Sequence, residues 1–276
     1  MISSVPVDSN APKYVHGHDS ATLASHSVRT AANSCGYLLP HLKPGMGVLD
    51  IGCGPGSITL DLAEIVGPEG RVIGLENTAE PLCAARQMAE GRGDSGTRFV
   101  VGDVLQLPFP DGAFNVVHAH QVLQHVVDPV RALTEMHRVC VPGGVVAVRD
   151  ADYAAMSWYP EYPGMERWRH AYRELAKRSG GKPDAGRHLR AWANAAGLAD
   201  PVITTSAWTY ADTASCRWWG NSQADRISGA IFRGRAETVP GTTEADVDEM
   251  VRAWRSWADH PDSCFTMTHG EMIVFR

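Results

Sequence analysis

No part of the 276-residue chain approaches the roughly 18 consecutive apolar residues that a membrane-spanning helix needs. Residues 1–14 carry neither a basic stretch nor an apolar run, so no secretory leader is expected there and the protein is expected in the cytoplasm. Lysine is scarce, with only Lys13, Lys43, Lys177 and Lys182, and the net charge is −6. That balance gives no electrostatic case for nucleic acid or an anionic membrane as partner. The six cysteines stand far apart without a C-x-x-C pair, which excludes a disulfide framework and a cysteine zinc site. Internal repeats and low-complexity tracts are missing as well. A small-molecule partner is the expectation that remains, with a homodimer left open.

What is present is an alternation of short apolar runs and amphipathic stretches. Val48–Ile51 reads as a buried parallel strand and Ile58–Val66 as a helix. Strands follow at Arg71–Leu75, Arg98–Val101 and Phe114–His120, with a helix at Pro81–Glu90. Asp128-Pro129 opens another helix with its cap and first-turn proline in order, and Pro142-Gly143-Gly144 is read as a turn into a fifth strand, Val145–Arg149. This order predicts an α/β fold with a doubly wound, mostly parallel sheet. Two later runs, Val202–Tyr210 and Glu271–Arg276, are expected to complete it as a seven-stranded, Rossmann-like sheet. A helix is expected from about Ala21 to Leu42, and others at 165–178, 185–196, 213–235 and 243–259. All eight tryptophans fall after residue 150. The chain thus divides into an N-terminal covering segment (1–42), a core (43–150), and a part (151–276) that adds strands and a Trp-rich helical lid.

Asp50-Ile-Gly52-Cys53-Gly54-Pro-Gly56 joins the first strand to the first helix. Glycines serve where backbone turns sharply and approaches a ligand without Cβ atoms between, and the helix start points free N–H groups at that space. The dinucleotide fingerprint G-x-G-x-x-G is not met, because Ser57 stands where its last glycine is required. Glu76, followed by Asn77, ends the second strand, where a carboxylate can accept ribose hydroxyls. Gly102-Asp103-Val104 follows the third, where a carboxylate and a backbone N–H could meet an adenine edge. Each acid alone is more simply a solvated loop residue. Together they mark the carboxyl edge of successive strands, where such sheets bind ligands.

Residues 47–150 resemble a class I S-adenosylmethionine-dependent methyltransferase domain, of the branch that includes ubiquinone/menaquinone-type C-methyltransferases. The matching stretches are Val48–Gly56, Gly102–Phe109, Phe114–Val117, Val122–His125 and Arg138–Gly144. The resemblance implies that S-adenosylmethionine is the cofactor. Asp50, Gly52, Cys53, Gly54 and Gly56 would seat its methionine part, Glu76 and Asn77 its ribose, and Gly102, Asp103 and Val104 its adenine. His120 and Gln121 would flank the methyl end.

Methyl transfer from a sulfonium is an in-line displacement that positioning alone accelerates greatly, so no dedicated catalytic residue is required. A base helps only if the acceptor must lose a proton. Candidates are His120, His125, Asp150, Asp152 and Tyr153, with Tyr153 and His120 preferred as catalytic groups. Tyr14, His18, His26, His125, Asp152 and Tyr153 are expected to touch substrate. The tryptophans suggest a lid over a planar, largely apolar acceptor such as an indole, quinone or phenol. They also suit plain core packing, as for Trp254 and Trp257 three residues apart, whereas Trp218-Trp219 cannot both face one core. His118 and His120, like His16 and His18, have no matched third ligand, so no metal is expected.

Three alternatives stay open. An NAD(P)-dependent reductase would share the sheet, but Ser57 and the lack of any Tyr-x-x-x-Lys pair speak against it. A non-catalytic S-adenosylmethionine-binding regulator would bind without turnover. A nucleic-acid methyltransferase would want a basic face and an Asn/Asp-Pro-Pro-aromatic segment, where this chain has His118-Ala-His-Gln121.

Overall fold

The computed structural model describes residues 29–276. Val-rich runs form a central sheet whose first strands are β1 (Gly47–Ile51), β2 (Arg71–Glu76), β3 (Arg98–Val101), β4 (Phe114–His120) and β5 (Cys140–Ala151). β6 (Ser157–Tyr159), β7 (Val202–Tyr210) and β8 (Cys264–Phe275) complete it. The order β3-β2-β1-β4-β5 is parallel throughout. β8 runs antiparallel, with β5 and β6 sharing one edge and β7 on the other. The sheet is therefore mostly parallel and eight-stranded. The expected seven is corrected by β6, a three-residue strand too short to show any alternation.

Helices α1 (Ala31–Ser34), α2 (Ser57–Val66), α3 (Glu80–Gly91), α4 (Pro129–Val139), α5 (Pro163–Arg178) and α6 (Leu189–Ala195) precede β7. α7 (Thr213–Ser228), α8 (Ala230–Ala236) and α9 (Glu244–Asp259) follow it. Their starts are written in the sequence. Asp128 accepts the Arg131 N–H with Pro129 behind it, and Asp212 and Thr243 each form a capping box with Ser215 and Asp246. The single helix expected over 213–235 breaks at Gly229, whose backbone is extended. The helix expected to run to Leu42 is also corrected. Among the described residues only Ala31–Ser34 is α-helical there, with a 3-10 turn at Leu39–His41.

Side-chain alternation sorts the core into two faces. One face packs Val48, Val72, Val116 and Ala147 against Ile58, Leu62, Cys35 and Leu38. The other packs Leu49, Leu75, Val117 and Val148 against Leu133, Met136 and Leu189. A third cluster is built from Trp168, Tyr172, Trp219, Trp254, Trp257 and Phe265, where α5, α7 and α9 cover the β8 end of the sheet. Trp254 and Trp257 are fully buried. Trp192 departs from the expected Trp-rich lid: it stacks on His188 and packs with the second face, away from the others. Among the described residues no helix is long and apolar enough to cross a membrane.

Candidate active site

The glycine loop leaves β1 through three left-handed residues, Gly52 (φ 68°), Gly54 (φ 54°) and Gly56 (φ 84°). A Cβ at Gly52 would lie 2.4 Å from Val122 Cγ2, so this position admits no side chain. Asp50 is buried beneath the loop. Its Oδ2 accepts from Thr59 Oγ1 at 2.5 Å and its Oδ1 from His118 Nδ1 at 2.7 Å. Asp50 therefore ties β1 to α2 and β4, and both its oxygens are held by protein donors.

Glu76, at the tip of β2, is bound to the same loop. Its Oε1 accepts the Gly54 N–H at 2.8 Å and its Oε2 the Asn77 N–H at 3.1 Å. Asp103, after β3, is exposed, and its Oδ1 accepts the Leu105 N–H at 2.8 Å. Val104 beside it is buried. Glycine backbone, Glu76 and Asp103 thus line consecutive strand tips. This arrangement fits a nucleoside-type cofactor: a cradle that a Cβ would fill, then one carboxylate, then another.

Beyond β4 the same sheet face carries a polar row. His120 is opposite Arg149 in register, Arg149 opposite Glu271, and Glu271 opposite Thr204. Arg149 Nε donates to Ser206 Oγ at 3.0 Å and stands 3.4 Å from Glu271 Oε1. Both carboxylate oxygens of Glu271 are occupied, by Thr204 Oγ1 at 2.9 Å and Ser206 Oγ at 2.5 Å. Gln121 is held at φ 55°, a conformation rare for a residue with a side chain. It accepts from Arg29 Nη2 at 3.0 Å and donates to His269 Nε2 at 2.8 Å. The His120 ring packs against Trp208 and His269, and neither of its nitrogens has a partner among the described residues. Burial, then the nearby Arg29 and Arg149, push its pKa well below the usual imidazole value, so it is neutral at ordinary pH. His269 is lowered in the same way, by burial first.

Over this row lies a cavity of about 790 Å³. Its floor is Arg149, Glu271, Ser206 and Trp208, and its roof includes Tyr37, Tyr153, Trp168, Trp218, Trp219 and Arg226. Trp218 and Trp219 both reach this wall, one exposed and one buried. Tyr153 stacks on Tyr172 with ring centres 4.2 Å apart.

The structure brings some expected residues together and separates others. Gln121 and Tyr153 line the cavity, and His120 lies behind Trp208. Two residues expected to touch substrate do not line this cavity. Arg187 grips both oxygens of Asp152, at 2.6 and 2.8 Å. His125 is off the wall as well, its Nε2 accepting from Gln124 Nε2 at 2.9 Å. Asp150, the remaining candidate base, is fully buried and accepts the Leu123 and Gln124 N–H groups. Tyr14, His18 and His26 lie outside the described residues. Among the described residues no group of three or more His, Cys, Asp or Glu side chains could hold a metal. Arg149, Glu271, Gln223 and Arg226 were not anticipated. Arg149 had a signal, a charge ending the apolar run Val145–Val148, and Glu271 opened the run at the chain's end.

A doubly wound sheet with a glycine cradle and two acids at successive strand tips defines an enzyme of the nucleoside-cofactor class. Residues 42–200 match the family model described as a methyltransferase domain. An uncharacterized methyltransferase of Schizosaccharomyces pombe is 32% identical over 94% of this chain and 95% of its own. A probable methyltransferase of Aspergillus luteorubrus is 28% identical over 95% and 97%. Demethylmenaquinone methyltransferase of Geobacillus stearothermophilus is 40% identical over a shorter stretch, 38% of this chain and 45% of that one. Among solved structures, the YcgJ protein of Bacillus subtilis superposes with a TM-score of 0.56 at 20% identity, over 87% of this chain and 97% of that chain, which shows a shared fold. The chain belongs to the methyltransferase domain family and is an S-adenosylmethionine-dependent methyltransferase.

Proposed function

We propose that the acceptor is a small aromatic or heteroaromatic metabolite of indole, quinone or phenol type, bound in the cavity over β5, β7 and β8. The observation that carries this reading is the cavity itself. Its volume is that of a small-ligand site, and Trp168, Trp208, Trp219, Tyr153 and Tyr210 supply flat apolar walls. The partial relatives named for demethylmenaquinone support an acceptor of quinone type.

The cofactor supplies an electrophilic methyl group on sulfur, and the chain's own residues supply position. Gly52, Cys53, Gly54 and Gly56, with Asp50 fixing their loop, are proposed to hold the methionine end. Glu76 and Asn77 take the ribose, and Gly102, Asp103 and Val104 the adenine. Gln121 stands where this edge meets the cavity. Alignment of acceptor and methyl group accounts for most of the expected acceleration. Where the acceptor must lose a proton, His120, neutral and unpaired, and Tyr153 on the wall are the groups proposed to assist.

The test is transfer of labelled methyl from S-adenosylmethionine to a panel of indoles, hydroquinones and phenols, with aliphatic amines and thiols as comparison. Turnover confined to the aliphatic acceptors overturns the aromatic reading. Asp103→Ala and Glu76→Ala should each raise the cofactor dissociation constant about tenfold, the loss expected for a hydrogen bond to a charged group. Unchanged affinity removes that residue from the site.

A further inference from the structure

Among the described wall residues, the buried side-chain atoms without a partner are N–H donors and one hydroxyl. Arg149 is buried in the floor with its Nη1 unpartnered. The indole N–H groups of Trp168 and Trp219, both on the wall, have no partner either. The Tyr37 hydroxyl, on the same wall, is likewise unpaired. No carboxylate or amide oxygen is among the buried side-chain atoms left unpartnered in the described residues. Native proteins rarely leave buried donors unmet, and several gathered round one cavity point to a ligand that supplies acceptors. The described wall carries the guanidinium groups of Arg29, Arg149 and Arg226 and the carboxylate of Glu271, and Arg29 and Arg226 are engaged by further partners. Glu271 already accepts from Thr204 and Ser206 and stands beside Arg149.

We propose that the methyl acceptor is an aromatic carboxylic acid, bound as the anion with its carboxylate against Arg149 and the Trp168 and Trp219 N–H groups while its ring packs among the aromatic walls. A planar carboxylate matches a guanidinium edge better than a neutral carbonyl does, because charge-assisted bonds are about twice as strong. Burial depresses the guanidinium pKa, and a bound anion would relieve that cost. The proposal rests on the methyltransferase reading of the same site.

The experiment is calorimetry on the full chain. S-adenosylhomocysteine is titrated first, then three matched pairs in its presence at about pH 7.5. The pairs are 4-hydroxybenzoate and 4-hydroxybenzamide, indole-3-acetate and indole-3-acetamide, and 2-naphthoate and 2-naphthamide. In at least one pair the acid should bind about tenfold or more tightly than the amide, the factor expected from one charge-assisted bond. Arg149→Gln should reduce that preference to twofold or less. Trp168→Phe and Trp219→Phe keep the ring and remove the N–H, and at least one should weaken the acid severalfold while leaving the amide unchanged. If Arg149→Gln does not fold, the two tryptophan variants decide. Amides matching acids in every pair, no binding by any acid, or a preference that survives the variants overturns the proposal. Heat with S-adenosylhomocysteine but no acid preference defeats this proposal alone. No heat with S-adenosylhomocysteine defeats the methyltransferase reading beneath it.

Discussion

Asp50 and His118 face each other in register on β1 and β4, joined by a 2.7 Å hydrogen bond in the buried centre of the sheet. The same carboxylate holds Thr59 in the first turns of α2, so one side chain fixes the two ends of the glycine loop and the strand beside it. Removing it strands two buried donors at once. Asp50→Ala should cost about 3 kcal/mol of folding stability, the loss expected when two buried donors are left unsatisfied. It should also weaken cofactor binding, because the loop loses its anchor. Urea titration checks the first and calorimetry the second, and a variant within 0.5 kcal/mol of wild type would remove the anchoring role.

Gly52 offers a sharper test of the loop. Two obstacles stand against a side chain there, the left-handed φ of 68° and the 2.4 Å approach to Val122 Cγ2. Gly52→Ala should lower cofactor affinity more than tenfold, since strain of about 1–3 kcal/mol falls on the ligand-bearing backbone. Adding Val122→Ala removes the collision but leaves the φ penalty, so recovery should be partial. Full recovery in the double variant would mean that backbone conformation is irrelevant at this position.

How far this was legible in the sequence depends on the length scale of each signal. Arg98–Val101, Phe114–His120 and Val202–Tyr210 are bounded as their apolar runs suggest, because each is closed by glycine, proline or a polar turn. The Pro142-Gly143-Gly144 turn is instead absorbed into β5. Its register slips between Phe114 and Val116 with Gly143 at φ 76°, so the breakers make an irregular strand and not a stop. β8 starts at Cys264, earlier than its hydrophobic end suggested, although Phe265, Met267 and His269 alternate as a strand should. The cofactor edge was readable because its parts follow one another along the chain. The cavity was not. Arg149, Trp208 and Glu271 come from β5, β7 and β8 and meet only through cross-strand register, and Trp219 reaches them only by the packing of α7 over the sheet.

Asp150 points to a pH effect on stability. It is fully buried, and burial raises its pKa to about 7 although two backbone N–H groups favour the anion. An unfolded aspartate titrates near 3.9. The folded state therefore keeps a proton that the unfolded chain has lost, so this contribution to stability is present in full below about pH 4 and is lost as pH rises through about 7. Asp150→Asn removes the titration. Its thermal midpoint should fall less than that of wild type between about pH 5 and 8. Scanning fluorimetry across that range reads the difference, and parallel curves would show that Asp150 ionises normally.

His120 gives the opposite sign. Its pKa is lowered by burial and by Arg29 and Arg149, so the folded protein resists the charge that the unfolded chain accepts near pH 6.5. Stability from this group is present above about pH 6.5 and is lost as pH falls towards the depressed folded value. His120→Phe should therefore flatten the acid side of the stability curve, leaving the neutral side to Asp150. The same neutrality bears on turnover. If the imidazole takes a proton from the acceptor, wild-type kcat should hold level from about pH 8 down to about pH 6, because the free base persists below its usual range. His120→Phe should then lower kcat about 100-fold, within the span of general-base effects, with cofactor affinity changed less than twofold. A kcat that drops in the wild type already near pH 6.5 contradicts the depressed pKa. A His120→Phe variant with wild-type kcat leaves His120 as packing behind Trp208 and shifts the proton to Tyr153 or to solvent.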